Sequence, residues 1–359
     1  MDSITHIVLG AAIGEAVAGR TLGKRAMLIG AIAQSLPDID FITSFGWDTS
    51  RDLLSHRGFT HSFSFVVLAA VLLTWGVKRW FNKEGQGLGS ALSFRGWTLF
   101  IGLQLFVHIF LDAFNVYGTG WFEPFSHYRV SFRTLFVADP FFSLFPGMAF
   151  LALLVLPKHS RARKYWIRLA LIIPCLYLSY GVVNKSRIDA RVEGELARQG
   201  ISYNRYFSTP TPLNEWLWYI VAESHDGYYI GYGSVFDRRP ELSFRFIPRN
   251  DSLLWPVRDR SDLRRLLRFS QGYYAIDRWE GALVFNDLRF GEIRGWDDPH
   301  ARSVLHYFLE RPENIAAVVQ RVRFAGCNAA SLKAFIKRIR VDLPHRRLSP
   351  WKIEAYAVA

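Results

Sequence analysis

The residues best equipped for chemistry are acids and histidines set into an otherwise apolar N-terminal half. They are Asp2 and His6, Asp38 and Asp40, His56 and His61, then His108, Asp112 and Asn115. Ionisable side chains in hydrocarbon are costly, so a membrane segment that keeps them marks a functional site. Their spacing suits a divalent ion. His108 and Asp112 are four apart and share a helix face, with Gln104 a turn before and Asn115 a turn after. His56 and His61 flank Arg57-Gly58-Phe59-Thr60 and can converge if the backbone turns there. Asp38 and Asp40 follow a proline, which places them in a turn at the end of the preceding helix. Both carboxylates there can reach a metal, or one can ligate while the other holds a histidine.

A His/Asp donor set without cysteine suits zinc, and also manganese or iron. Such an ion activates water and polarises a phosphoryl or carbonyl oxygen, which is hydrolase chemistry. The expected metal ligands are therefore His6, Asp38, His56, His61, His108 and Asp112, with Asp2 and Asn115 as their outer hydrogen-bond partners. Arg57 and Asp40 are the expected catalytic groups, the arginine steadying an anionic group through its planar fork. These are more donors than one ion needs, so two or three ions would fit. Each feature also has an ordinary explanation. The stripe from Gln104 to Asn115 would serve as a helix–helix hydrogen-bond seam, Asp38 and Asp40 as an Asx-rich turn, and His56 and His61 as loop residues beside a capping Thr60 or Ser62. The other histidines stand singly and are read as ordinary. There is no serine elbow, P-loop or dinucleotide glycine motif.

The elements that must position these residues are helical and apolar. Of 359 residues, 50% are hydrophobic and 16% aromatic, yet mean hydropathy is only +0.08. The low mean reflects a change along the chain: apolar runs stop near Val183, and everything after Lys185 is mixed, Arg-rich and aromatic. A membrane-embedded helical domain (1–184) and an α+β extramembrane domain (185–359) are expected. Four runs are read as long enough to cross a bilayer, which takes about 20 apolar residues: His61 to Val77, Trp97 to Phe114, Pro140 to Leu156 and Tyr165 to Val183. Two shorter stretches precede them, Ile4 to Gly19 and Ala26 to Leu36. Gly10 and Gly14 have the small-xxx-small spacing of close helix pairs. The soluble half reads as a charged helix (Lys185 to Arg198) and strands around Gly227 to Tyr232, Leu242 to Phe246 and Ala282 to Phe290. A turn or linker at Thr209 to Leu213 and helices near Asp262 to Phe269 and Pro312 to Arg340 complete it.

Orientation follows from the basic loops. Lys24 and Arg25, then Lys78, Arg79, Lys83 and Arg95, then Lys158, Arg161, Arg163 and Lys164 all fall on one side if the helices alternate. The positive-inside rule makes that side cytoplasmic. Every candidate ligand then falls on the opposite side, and the C-terminal domain lies above them. The start Met-Asp-Ser shows no removable signal peptide, and Cys175 and Cys327 build neither a disulfide framework nor a thiolate site. Part of the net charge of +13 lies in the C-terminal domain, where it favours membrane lipid headgroups or another anionic, phosphate-containing substrate. No nucleic-acid motif is present, so nucleic acid is not an expected partner.

Asp2-Ser-Ile-Thr-His6, Leu36-Pro-Asp-Ile-Asp40, His56-Arg-Gly-Phe-Thr-His-Ser62 and His108-Ile-Phe-Leu-Asp112 with Asn115 together resemble the YdjM-type family. These are LexA-associated bacterial inner-membrane proteins to which metal-dependent hydrolase activity is ascribed. Thr211-Pro-Leu-Asn214 with Trp216 and Trp218, and Asn286-Asp-Leu-Arg-Phe-Gly291, resemble segments of longer members. The N-terminal pattern is also distantly similar to zinc-dependent phospholipase C and P1-type nucleases, which implies phosphoester hydrolysis. The resemblance implies an inner-membrane metal-dependent hydrolase, and the alternation of the helices puts its C-terminal domain in the periplasm. The rival is a non-catalytic membrane protein, either a metal or ion carrier or a structural stress-response factor. A carrier would keep its ligands near the bilayer midplane, and clustering at one surface favours the enzyme.

Overall fold

The computed structural model describes residues 1–81, 87–239, 241–279, 281–298, 301–309 and 329–340. Helix α1 (Ser3–Leu22) begins where Asp2 accepts the Thr5 amide at 2.9 Å. It ends at Gly23, whose φ of 60° is a backbone region glycine enters without strain. Helix α2 (Arg25–Ser35) folds back along it. The two pack backbone to backbone: a Cβ on Gly14 would lie 2.2 Å from the Ala26 carbonyl oxygen, and one on Gly30 2.2 Å from that of Gly10. The small-residue spacing at Gly10 and Gly14 is thus a true close approach.

A 3-10 segment, Leu36–Phe45, follows and carries Asp38 and Asp40, which sit in a helical turn rather than an Asx loop. Short helix α3 (Thr49–Ser55) and a 3-10 turn, Phe59–His61, lead into α4 (Phe63–Trp80), capped by Ser62. Helix α5 (Phe94–Asp112) returns, followed by α6 (Pro140–Val155) and α7 (Ala162–Arg198). Among the described residues, α4, α5 and α7 are long and apolar enough to cross a membrane. The expectation of four long apolar helices is corrected at α6. It has 16 residues, about 24 Å at 1.5 Å per residue, against a hydrocarbon core of about 30 Å. The Asp139 side chain caps it at one end. At the other, Leu156 precedes Pro157, and a residue before proline is pushed out of the helical region. The first of the two N-terminal helices, expected to be short, runs 20 residues between its Asp2 cap and Gly23.

The bundle has two chemically distinct ends. At one, Lys24 Nζ donates to the Leu154 carbonyl at 2.5 Å, and Gly23 faces the Lys158 side chain. At the other lie Asp2, Asp38, His61 and Asp112, a full length of α1 away.

The charged stretch from Lys185 continues α7 without a break, giving 37 residues. Its far half changes character. Ile188, Val192 and Leu196 recur every four residues, a single apolar stripe, and pack on Trp218, Ile220 and Ala222. Those three alternate along β2 (Leu217–Glu223) with Tyr219 and Val221, which face the other way. Strands β1 (Arg205–Pro210), β2, β3 (Gly227–Ser234) and β4 (Phe244–Pro248) form an antiparallel sheet in that order. Thr209 and Pro210, expected in a turn or linker, close β1, and the turn begins at Thr211. Helix α8 (Ser261–Phe269) precedes a second antiparallel sheet of β5 (Tyr274–Trp279), β6 (Ala282–Glu292) and β7 (Ser303–Phe308). The inner face of the first sheet packs on Tyr273, Ala275 and Leu288 beside the second. Leu53 of α3 enters a core with Leu266, Phe269 and Phe285, tying the ligand-bearing loop to this β-rich region. Of the expected helix from Pro312 to Arg340, Ala329–Arg340 forms α9. Residues 312–328, with Lys83, His300 and His345, lie outside the described residues.

Candidate metal centre

Four of the expected ligands meet. Asp38, His61, His108 and Asp112 each turn one donor atom toward a common point, with all four atoms within 4.8 Å of one another. His61 Nε2 and His108 Nε2 are 3.1 Å apart. Asp38 Oδ1 is 3.5 Å from the first and 3.4 Å from the second. Asp112 Oδ2 is 3.3 Å from the first and 3.5 Å from the second. A tetrahedron with metal–ligand bonds of about 2.0–2.1 Å has edges of about 3.3 Å. Five of the quartet's six edges match that figure.

The surroundings orient these donors. His108 Nδ1 lies 2.5 Å from the Gln34 carbonyl oxygen; donating there leaves the Nε2 lone pair for the centre. His61 Nδ1 is 3.0 Å from Thr60 Oγ1 and 3.5 Å from Asp40 Oδ2, which likewise frees its Nε2. Burial acts to raise the Asp38 carboxyl, but hydrogen bonds with His108 and His61 hold it well below the usual carboxylate range. Asp112 Oδ2, fully buried, accepts no hydrogen bond among the described residues. Arg57 Nε lies 3.0 Å away without the alignment of one. Three of the four residues are fully buried, and the Asp38 side chain is 19% exposed, so the site opens on the Asp38 side.

The other expected site residues form a ring around this quartet. His6 stacks on His108 at 3.8 Å and places Nε2 3.3 Å from Asp112 Oδ1, the oxygen turned away from the two histidines. The Met1 amine also contacts that oxygen. His56 is a third exposed and holds Asp40 Oδ1 at 3.0 Å, its ring 6.2 Å from that of His61. Asp40 Oδ2 accepts from the Arg57 amide and from Thr60. It therefore braces the turn that carries His61. Arg57, with φ 58°, donates Nη1 to Asn115 Oδ1 at 2.7 Å. Asp2 spends its carboxylate on Thr5. Gln104 reaches the Gly10 carbonyl at 3.2 Å, so the lower end of the α5 stripe is a helix–helix seam. Glu15 pairs with Arg163 at 2.8 Å, remote from the centre. Gln34 and Tyr117, whose ring lies under the Arg57 guanidinium, were not legible beforehand: one acts through its backbone and the other depends on tertiary packing.

Apolar helices carrying a buried Asp/His quartet, joined to a β-rich region, define a membrane protein with a site able to hold a metal ion. The chain belongs to the YdjM inner membrane protein family, whose profile matches residues 1–188. It is 33% identical over 129 residues to the inner membrane protein YbcI of Escherichia coli, a match covering 35% of this chain and 69% of that one. It is 30% identical over 176 residues to the uncharacterized protein YfhP of Bacillus subtilis, covering 44% of this chain. The chain spans about half of the length of YfhP, 51%. No solved structure matches it.

Proposed function

We propose that this chain is a membrane-bound metal-dependent hydrolase acting on a phosphoester or lipid-linked substrate. The observation that carries this reading is the near-tetrahedral quartet of Asp38, His61, His108 and Asp112. Two neutral imidazoles and two carboxylates suit zinc best, and also manganese or iron. A divalent ion held there supplies Lewis acidity and lowers the pKa of a water. Asp40 and the Gln34 carbonyl keep the imidazoles turned inward. Arg57, buried against Asp112 and Asn115, fixes the Asp112 carboxylate and balances anionic charge beside it. The more exposed Asp38 edge is where a substrate oxygen would enter.

The basic residues at the opposite end of the bundle support a cytoplasmic position for that end. The centre and the β-rich domain would then face the periplasm, at the inner membrane. A second reading rests on the same quartet. Four protein donors complete a tetrahedron, the pattern of a closed structural or carrier site, whereas catalytic zinc keeps one position open. Metal analysis of the purified protein, combined with hydrolysis assays on p-nitrophenyl phosphate, phospholipids and lipid-linked diphosphates, separates the two. Stoichiometric metal with turnover lost on chelation supports the hydrolase. Stoichiometric metal without turnover supports the closed site, and no metal overturns both.

A further inference from the structure

A cleft lies where the loop after α5 meets the two sheets. It has a volume of about 60 Å³. Val116, Leu135 and Val137 form the wall on the bundle side. The stretches Thr211–Asn214 and Asn286–Gly291, far apart in sequence, both reach it, through Thr211 and Pro212 and through Arg289 to Gly291. Gly291, with φ 80°, stands where the register between β6 and β7 shifts. That bulge is a conformation glycine supplies without strain.

The polar groups of this cleft are unbalanced in one direction. Arg289 is fully buried, its guanidinium over the Phe269 ring at 4.5 Å and the Phe290 ring at 5.2 Å. Its Nε and Nη2 are taken by Asp287 at 3.0 and 2.6 Å, while Nη1 has no hydrogen-bond partner among the described residues. Tyr219 is 1% exposed, and its hydroxyl has none either; nor does the buried Nε1 of Trp296. All three residues line the cleft. The Glu292 carboxylate, also in the wall, is already held by Arg245 and by Tyr232 at 3.3 Å. Buried donors without acceptors are rare and costly.

We propose that the cleft binds an oxyanion, a phosphoryl or carboxylate group, on Arg289 Nη1, Tyr219 Oη and Trp296 Nε1. Asp287 fixes the guanidinium so that its remaining edge is preorganised for a charge-assisted bond. Arg133, stacked over Phe207 at 4.5 Å with its Nε unpartnered, adds positive field nearby. The nearby carboxylates of Asp287 and Glu292 are each paired with an arginine. A volume of about 60 Å³ holds about four to six water-sized positions at roughly 10–15 Å³ each. That accommodates one tetrahedral anion, with any apolar remainder of the ligand outside. This inference does not rest on the metal centre.

The test is calorimetric titration of inorganic phosphate into the full chain in a phosphate-free detergent. Saturable binding is expected, and it should persist in Asp112→Asn, which separates it from anion binding at a metal. Tyr219→Phe removes a hydroxyl with no hydrogen-bond partner among the described residues. It should leave the unfolding temperature unchanged or higher and weaken phosphate about three- to tenfold, the worth of one hydrogen bond. Trp296→Phe should do the same. Loss of phosphate binding in phosphatidylglycerol nanodiscs would identify a lipid headgroup as the source, and unaltered binding a soluble anion. Absence of binding, equal affinity in Tyr219→Phe, loss of binding in Asp112→Asn, or binding of glucose in place of phosphate would each overturn the proposal.

Discussion

Asp112 is the side chain around which the polar interior of the bundle is arranged. One oxygen faces His61 and His108, while the other is met by His6. Asp112→Asn keeps shape but removes the charge that offsets a cation, so bound metal should fall at least tenfold while the protein still inserts and folds. Gln104→Leu, on the same helix face but bonded to the Gly10 carbonyl, should keep its metal. Plasma mass spectrometry of both variants decides; full occupancy in Asp112→Asn would reduce the whole stripe to a packing seam. A second residue-scale prediction concerns Glu215, fully buried against Gly181, with neither carboxylate oxygen partnered. Burial first, and the charge of Asp139 second, push its pKa up to about 9, against 4.5 when unfolded. The folded state therefore keeps a proton that the unfolded state loses. Stability from this group is complete below pH 4.5 and declines as pH rises toward 9. Glu215→Gln should flatten that decline and raise the melting temperature at pH 8. An unchanged pH profile would show that Glu215 is ionised when folded.

The helices act as spacers as much as walls. His6 and Asp38 lie on either side of the α1–α2 contact, and their separation depends on glycines at the crossing. Since a Cβ on Gly14 would lie 2.2 Å from the Ala26 carbonyl oxygen, Gly14→Leu must push the pair apart. A cost of about 1–3 kcal/mol is expected from overpacking, with metal affinity falling because Asp38 moves away from the histidines. Denaturation in detergent, read beside metal content, checks this; a stable, fully loaded variant would show that the crossing does not set the site. The α1–α2 spacing was legible as a small-residue repeat, because a missing Cβ has a sequence signature. The bounds of α6 were read to within one residue, Pro140 to Leu156 against Pro140–Val155. What failed was counting so short a run among the spans, since hydropathy alone does not separate 16 apolar residues from the roughly 20 a bilayer requires.

For the whole molecule, orientation is the open quantity with a direct readout. Reporters fused after Lys83 and after Lys164 are expected to behave as cytoplasmic, and those after Arg198 as periplasmic. Lys24 and Lys158 share the basic end, and α7 leads from that end to the first sheet. A cytoplasmic readout after Arg198 would place the centre and the β-rich region on the inner face and remove the basis for a periplasmic substrate.

The types and spacings of the residues by themselves pointed to a possible metal site and put part of it on a helix face. His108 and Asp112 at i and i+4 must share a face, whatever the fold. A hydrocarbon setting makes such a pair too costly to keep without a use. Tertiary structure alone decided which acids and histidines complete the quartet. His6 and His56 match the ligands in type, but each is drawn to a carboxylate oxygen outside it, Asp112 Oδ1 and Asp40 Oδ1. That choice depends on helix crossings and on the turn at Arg57, which no local spacing encodes. The cleft at Arg289 and Tyr219 likewise exists only because two sheets and a loop from the bundle meet. Unpartnered donors are a property of packing, not of sequence.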